Sequence, residues 1–240
     1  METFYLGTHM PNWLERFPFP LFVSRRRLEK RKTLPRADVD WACDSGGFSE
    51  LSMYGAWQIT EREYCKQIKR YVDEIGRLAW AAPMDWMCEP FMLKQTGLTT
   101  REHQKRSINN YLSLKQLAPD LPFIPVLQGW TVADYQRHVE MYDKYDVDLA
   151  TQIVGVGSIC RRQATADCTR ILHTLYTSGV GQIHAFGIKT AGLRTCASFV
   201  RSGDSMSWSM AGRMQGKGNC PQFAMRWYVN VLQNVSPRNF

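Results

Sequence analysis

Eight short apolar runs alternate with helix-period segments along almost the whole chain, and that alternation limits the possible folds more than any other feature. The runs are Phe4-Tyr5-Leu6, Leu21-Phe22-Val23, Trp41-Ala42-Cys43, Leu78-Ala79-Trp80-Ala81-Ala82, Phe123-Ile124-Pro125-Val126-Leu127, Ile153-Val154-Gly155-Val156, Ile183-His184-Ala185-Phe186-Gly187-Ile188 and Ser205-Met206-Ser207-Trp208. Repetition of strand, helix and strand requires parallel pairing with right-handed crossovers. Eight such strands in 240 residues predict a compact α/β fold, a (β/α)8 TIM-like barrel forming one domain over 1–240. An open doubly wound sheet is the alternative, but no Gly-x-Gly-x-x-Gly comes after the first run.

The intervening segments carry helix signals. Thr60 and Glu63 form a capping box ahead of Tyr64, Ile68, Tyr71, Val72 and Ile75, which share one face. Thr99 or Thr100 opens a segment through Leu117, Thr131 opens another to about Tyr145, and a fourth spans Gln163 to Ser178. Gln222 to Val235 reads as a last helix with Phe223, Trp227, Val231 and Val235 inward. The first two connections are irregular. Thr8 to Pro20 holds three prolines, and Arg25 to Asp40 is too charged for an amphipathic helix, so the barrel is predicted to have abbreviated early helices.

Apolar content of 44% and charged content of 22% exclude wholesale disorder. A net charge of +8 points to a polyanionic partner, nucleic acid first and an anionic membrane surface second. No run approaches the roughly 18 apolar residues of a membrane span, and Met1 to Tyr5 lacks a signal-peptide start, so a cytoplasmic location is expected. The seven cysteines are odd in number, scattered, and never spaced Cys-x-x-Cys. They read as buried free thiols, with no disulfide framework, no metal site and no cofactor expected.

In a parallel barrel the chemistry gathers at the carboxyl ends of the strands, so the residues just after each run are the ones to search for function. The first run leads to His9, the second to Ser24, Arg25, Arg26 and Arg27, and the third to Asp44-Ser45-Gly46-Gly47. An acid at the end of a buried strand is costly unless paired or working, which makes Asp44 the first candidate catalytic residue. The fourth run leads to Asp85, Trp86 and Glu89, and the fifth to Gln128, Gly129 and Trp130. The sixth leads to Gly157, Ser158, Arg161 and Arg162, the seventh to Lys189, and Asp204 stands at the start of the eighth. Trp86 and Trp130 each stand behind a polar residue and are positioned either to sandwich a flipped base or to pack the rim. The cations at 25–27, 161, 162 and 189 fit a phosphodiester backbone gathered on one rim, or a solvated charged face.

Asp44-Ser45-Gly46-Gly47-Phe48, Asp85, Gln128-Gly129, the pair Gly155 and Gly157, Phe186-Gly187-Ile188 and Asp204 resemble, in order, the motifs of tRNA-guanine transglycosylases. The resemblance is closest to their short relatives, the deazapurine DNA-modification (DpdA-like) proteins and related DNA glycosylases. It implies a barrel enzyme that cleaves the bond between a base and its sugar. It further implies Asp204 as nucleophile, Asp44 as acid/base, and Asp85, Gln128 and the Gly155 region as the base-reading shell. Only Cys220 stands where the tRNA enzymes carry a zinc site, which shifts the expected substrate from tRNA to DNA.

The function expected from sequence is therefore N-glycosidic bond cleavage on a flipped-out base in DNA, leaning to excision of a modified base that leaves an abasic site, as in defence against phage. The alternative is exchange of guanine for a 7-deazaguanine derivative in DNA or tRNA. A non-catalytic nucleic-acid-binding barrel is the reading from another class, and sugar hydrolysis by the same carboxylates a further one.

Overall fold

The protein is described by a computed structural model at residues 1–160, 162, 166–188 and 190–235. Its strands are β1 Thr3–Thr8, β2 Leu21–Ser24, β3 Trp41–Asp44, β4 Leu78–Ala81, β5 Val126–Leu127, β6 Ile153–Val156, β7 Gln182–Ala185 and β8 Ser202–Ser205. They form one parallel sheet in the order β4-β3-β2-β1-β8-β7-β6-β5. This is the neighbour order of the expected barrel, but the sheet is curled and open between β4 and β5. Across that seam run one parallel bridge, Ala81 to Phe123, and hydrogen bonds from the Ala81 N–H to the Pro122 carbonyl (2.9 Å) and from the Ile124 N–H to the Ala81 carbonyl (3.2 Å).

Period-two alternation sorts the strand residues into two cores. Tyr5, Phe22, Ala42, Trp80, Ala82, Ile124 and Val126 pack inside the curl with Ile153 and Phe186. Their chain neighbours Phe4, Leu6, Leu21, Val23, Trp41 and Cys43 face outward into the larger core under the helices.

The helices are α1 Gly47–Tyr54, α2 Glu61–Glu74, α3 Pro90–Thr96, α4 Thr100–Leu117, α5 Val132–Asp143, α6 Ala166–Thr177, α7 Thr190–Cys196, α8 Ser207–Met214 and α9 Pro221–Val235. Reciprocal capping boxes start α2, α4 and α5, from Thr60 and Glu63, Thr99 and Glu102, and Thr131 and Asp134. The first two connections hold only short 3-10 turns, Pro11–Glu15 and Arg25–Arg27, as their prolines and charge predicted. The helix expected from Gln163 begins at Ala166 within the described residues. In α9 the inward side chains are Ala224, Tyr228 and Val231, while Phe223 and Trp227 are half-buried and the Val235 side chain lies outside the described residues. Tyr228 stacks on Phe19 at 4.0 Å between ring centroids, which sets that register.

The eighth strand is displaced from its predicted place. It runs Ser202–Ser205, and the stretch predicted to form it, Ser205 to Trp208, turns into α8. All seven cysteines are free thiols, five of them buried. No helix among the described residues is long and apolar enough to cross a membrane.

Candidate active site

The same alternation aims the strand-end polar groups. Phe22 and Ala42 point inward, so Ser24 and Asp44, two residues further on and side by side in the ladder, point inward too. They open onto a cavity of about 700 Å³ at the carboxyl ends of the strands, which Asp85, Gln128, Gly157 and Asp204 also line.

Asp44 ends β3 where the chain must swing into α1. Gly46 makes that turn at φ +77°, and a Cβ there would lie 2.7 Å from Cγ of Arg26. The Ser24 hydroxyl and the Gly46 N–H beside the Asp44 carboxylate favour its charged form. Burial nonetheless pushes its pKa up to about 6, and the negative charge of Asp204 across the cavity adds to the rise. Asp85 comes after β4. Its Oδ1 accepts from Ser45 Oγ (3.0 Å) and its Oδ2 from Gln128 Nε2 (2.6 Å). Burial lifts this carboxyl to about 6 as well, with the charge of Asp44 contributing.

Gln128 lies flat across the carboxyl end of β6 because residue 157 is glycine: a Cβ there would be 2.2 Å from Nε2. Its Oε1 accepts from Ser158 Oγ (2.7 Å), a hydroxyl that also lies 2.9 Å from Glu89 Oε2 and accepts from the Cys88 N–H at 2.8 Å. Ser158 reaches these partners from the left-handed region, φ +55°. Asp204 is 6% exposed. Its Oδ1 accepts from the Gly187 N–H (2.8 Å) and lies 3.3 Å from His184 Nε2.

The remaining predicted residues divide. Arg26, Arg27 and Lys30 line the cavity, as does His9, whose Nδ1 accepts from Arg27 Nε at 3.2 Å. Arg25 does not. It is fully buried and bonds Ser45 O, Glu29, Gln67 and Glu50, because the backbone of its 3-10 turn faces it into the core. Arg162 is drawn away to Asp167 and lies 4.2 Å over the Trp130 ring, while Arg161 and Lys189 lie outside the described residues. Neither tryptophan lines the cavity. Trp86 is buried with Leu51, Met87 and Met92 under Arg106, whose guanidinium is 4.6 Å from its ring, and Trp130 is engaged by Arg162. Gly129 packs against Tyr135, and Gly155 lies against the Phe186 ring. Ser24 and Ser45 stand among the strand-end residues of the sequence without a role assigned to them there, and His184, inside the seventh run, was not singled out. Ser24 was legible, standing at the same offset after its run as Asp44.

The raised pKa of Asp44 gives a stability test. Its folded value of about 6 exceeds the ordinary 3.8, so the folded protein holds this proton more tightly than the unfolded chain. The resulting penalty is absent below about pH 4, grows between pH 4 and 6, and is complete above that. In urea unfolding of the parent and Asp44→Asn, the stability difference is expected to move in the variant's favour by about 2 kcal/mol from pH 4 to pH 8. A constant difference would show that Asp44 titrates normally.

A parallel α/β chain with carboxylates gathered on one cavity at its strand ends belongs to the class of barrel-like proteins with a polar site at that face. Within that class it matches the family model DpdA, DeoxyPurine in DNA protein A, over residues 1–237, and it belongs to that family. The motif resemblance to tRNA-guanine transglycosylases is consistent with this membership. No curated protein matches the chain.

Proposed function

We propose that this protein exchanges a purine base in DNA for a deazapurine by double displacement at the anomeric carbon, the β4–β5 seam being the closing edge of a TIM-like barrel. The supporting observation is that Asp44 and Asp204 line one cavity closely enough for the charge of one to raise the pKa of the other. The family description, deoxypurine in DNA, favours exchange over the excision toward which the sequence alone leaned. At about 700 Å³ the cavity is within the roughly 300–1,000 Å³ of small-molecule sites, enough for a flipped nucleotide.

In the first displacement an oxygen of the Asp204 carboxylate bonds to the anomeric carbon while the C–N bond breaks and its electron pair leaves on the base. Asp44 in its acid form protonates that base as it departs. With a pKa near 6, both of its forms are accessible around neutral pH, as an acid that must later act as a base requires. In the second displacement the incoming deazapurine loses its ring N–H proton to the Asp44 carboxylate, its nitrogen bonds to the anomeric carbon, and Asp204 leaves as a carboxylate. Asp85 and Gln128, fixed by Ser45 and Ser158, offer acceptors and a donor to the polar edge of the base. Arg27 and Lys30 take the phosphates on the cavity rim.

Duplex DNA, single-stranded DNA and tRNA are each incubated with protein and an isotope-labelled 7-deazaguanine derivative, then digested to nucleosides for mass spectrometry. Labelled deoxynucleoside is expected, with one free guanine released per base incorporated. Abasic sites without incorporation would replace exchange by excision, and labelled ribonucleoside would replace DNA by tRNA.

A further inference from the structure

Asp204 is held by a side chain that never reaches the cavity. His184 on β7 is fully buried inside the curl and is absent from the cavity lining. In the ladder it lies beside Ser202, and Ser202 and Asp204, two apart on β8, present the same face to it. Its Nδ1 is 2.9 Å from Ser202 Oγ and its Nε2 3.3 Å from Asp204 Oδ1. Four aromatic rings fix the plane of the imidazole: Trp80 at 4.5 Å between centroids, Phe186 at 4.8 Å, and Tyr5 and Phe22 each at 5.8 Å.

The donors and acceptors fit one arrangement. A carboxylate only accepts, so Nε2 must carry the proton that faces Asp204, and in a neutral ring Nδ1 then accepts from the Ser202 hydroxyl. The Gly187 N–H lands on the same carboxylate oxygen, Oδ1, at 2.8 Å. Two donors converge on Oδ1, and Oδ2 is left to form the bond to carbon.

We infer that His184, set by Ser202, is a positioning residue that pins Oδ1 of Asp204 and thereby presents Oδ2 to the anomeric carbon. This rests on the proposed role of Asp204 as nucleophile. The buried imidazole serves this purpose better than a solvated donor, because its aromatic enclosure removes the rotamers in which the bond would be lost.

The test has two arms. In the first, nitrogen NMR of protein labelled in its histidines reads the tautomer, the signals of His184 being those that vanish in His184→Gln. A protonated Nε2 and an unprotonated Nδ1 are expected; the reverse tautomer overturns the arrangement. In the second, single-turnover base release from DNA is compared in His184→Phe, which fills the aromatic enclosure without a donor, and His184→Gln, whose amide restores one. The Phe variant is expected to be roughly 100-fold slower with unchanged DNA affinity and a lowered melting temperature, since it unpairs the buried Ser202 and Asp204, and the Gln variant to recover at least about tenfold of that rate. Parental turnover in the Phe variant, or no recovery in a folded Gln variant, overturns the inference. Should the Phe variant fail to fold, Ser202→Ala decides: a mixed tautomer with several-fold slower release supports the inference, and an unchanged tautomer and rate overturn it. If the parent releases no base from any DNA, the functional reading fails while the NMR arm still decides the hydrogen-bond assignment.

Discussion

Asp204→Asn is expected to slow base release from DNA by at least about 10³-fold while the protein stays folded and binds DNA with parental affinity. The amide keeps an oxygen for the Gly187 N–H and for His184 Nε2, so the local hydrogen bonds survive. What it loses is the anionic electron pair that traps or stabilises an oxocarbenium-like sugar. Asp44→Asn removes proton transfer instead, and the expected loss is roughly 10²- to 10⁴-fold. The two variants also differ in kind. The first keeps a pH-dependent residual rate but moves its midpoint to lower pH, because the charge of Asp204 no longer raises the pKa of Asp44, and the second flattens the dependence near pH 6. Single-turnover mass spectrometry over pH 5 to 8 reads both. Release within tenfold of the parent in Asp204→Asn would remove it as nucleophile.

Arg25→Ala is expected to destabilise the protein by about 3–5 kcal/mol, the cost of breaking a buried ion pair from one side. The guanidinium has no exposed surface and bonds Glu50 (2.6 Å), Glu29 (2.6 Å), Gln67 (3.1 Å) and the carbonyl of Ser45 (3.0 Å). Without it, Glu50 at 3% exposure keeps Arg26 and a long hydrogen bond from the Gln58 N–H (3.4 Å), and the turn carrying Asp44 loses its anchor at Ser45. Its neighbours behave differently. Arg27→Glu and Lys30→Glu lie on exposed positions. They are expected to change stability by less than about 0.5 kcal/mol, to weaken DNA binding, and to lower the slope of affinity against salt by about one for each phosphate no longer engaged. Urea unfolding and DNA titrations at several salt concentrations separate the two kinds of effect. Parental stability in Arg25→Ala with loss of DNA binding would reverse the assignment.

The arginine run shows where sequence reading reaches its limit. Residues 25–27 occupy a single 3-10 turn, whose three residues per turn send successive side chains about 120° apart. Composition sees three equal cations; the turn makes one a core residue and leaves two at the cavity. The tryptophans show the same limit, since standing one residue after Asp85 or two after Gln128 in the chain gives no direction to a ring. Strands β1 to β7 were legible because their outward residues are apolar and buried under helices. Strand β8 was not, because Ser202-Gly203-Asp204-Ser205 carries no apolar side chain. Its burial is made tolerable by Ser202 and Asp204 bonding to His184 and by the Gly187 N–H, partners supplied by another strand and the loop after it. Helices α1 and α3 escaped notice because no side chain caps their starts. Asp44 was readable because an acid directly after an apolar run is itself an anomaly.

The open seam between β4 and β5 gives the residues proposed to read the base a second burden. Asp85 and Cys88 come from the β4 side, Gln128 and Ser158 from the far side, and their hydrogen bonds run from one edge to the other where the backbone ladder is reduced to a single bridge. These side chains are fasteners as well as the proposed readers. On the proposed reading, a base that took over the hydrogen bonds of Asp85 and Gln128 would unclasp that edge, so occupancy of the site would become tension along one line of the sheet, and redesigning which base is read would mean redesigning what holds the curl shut.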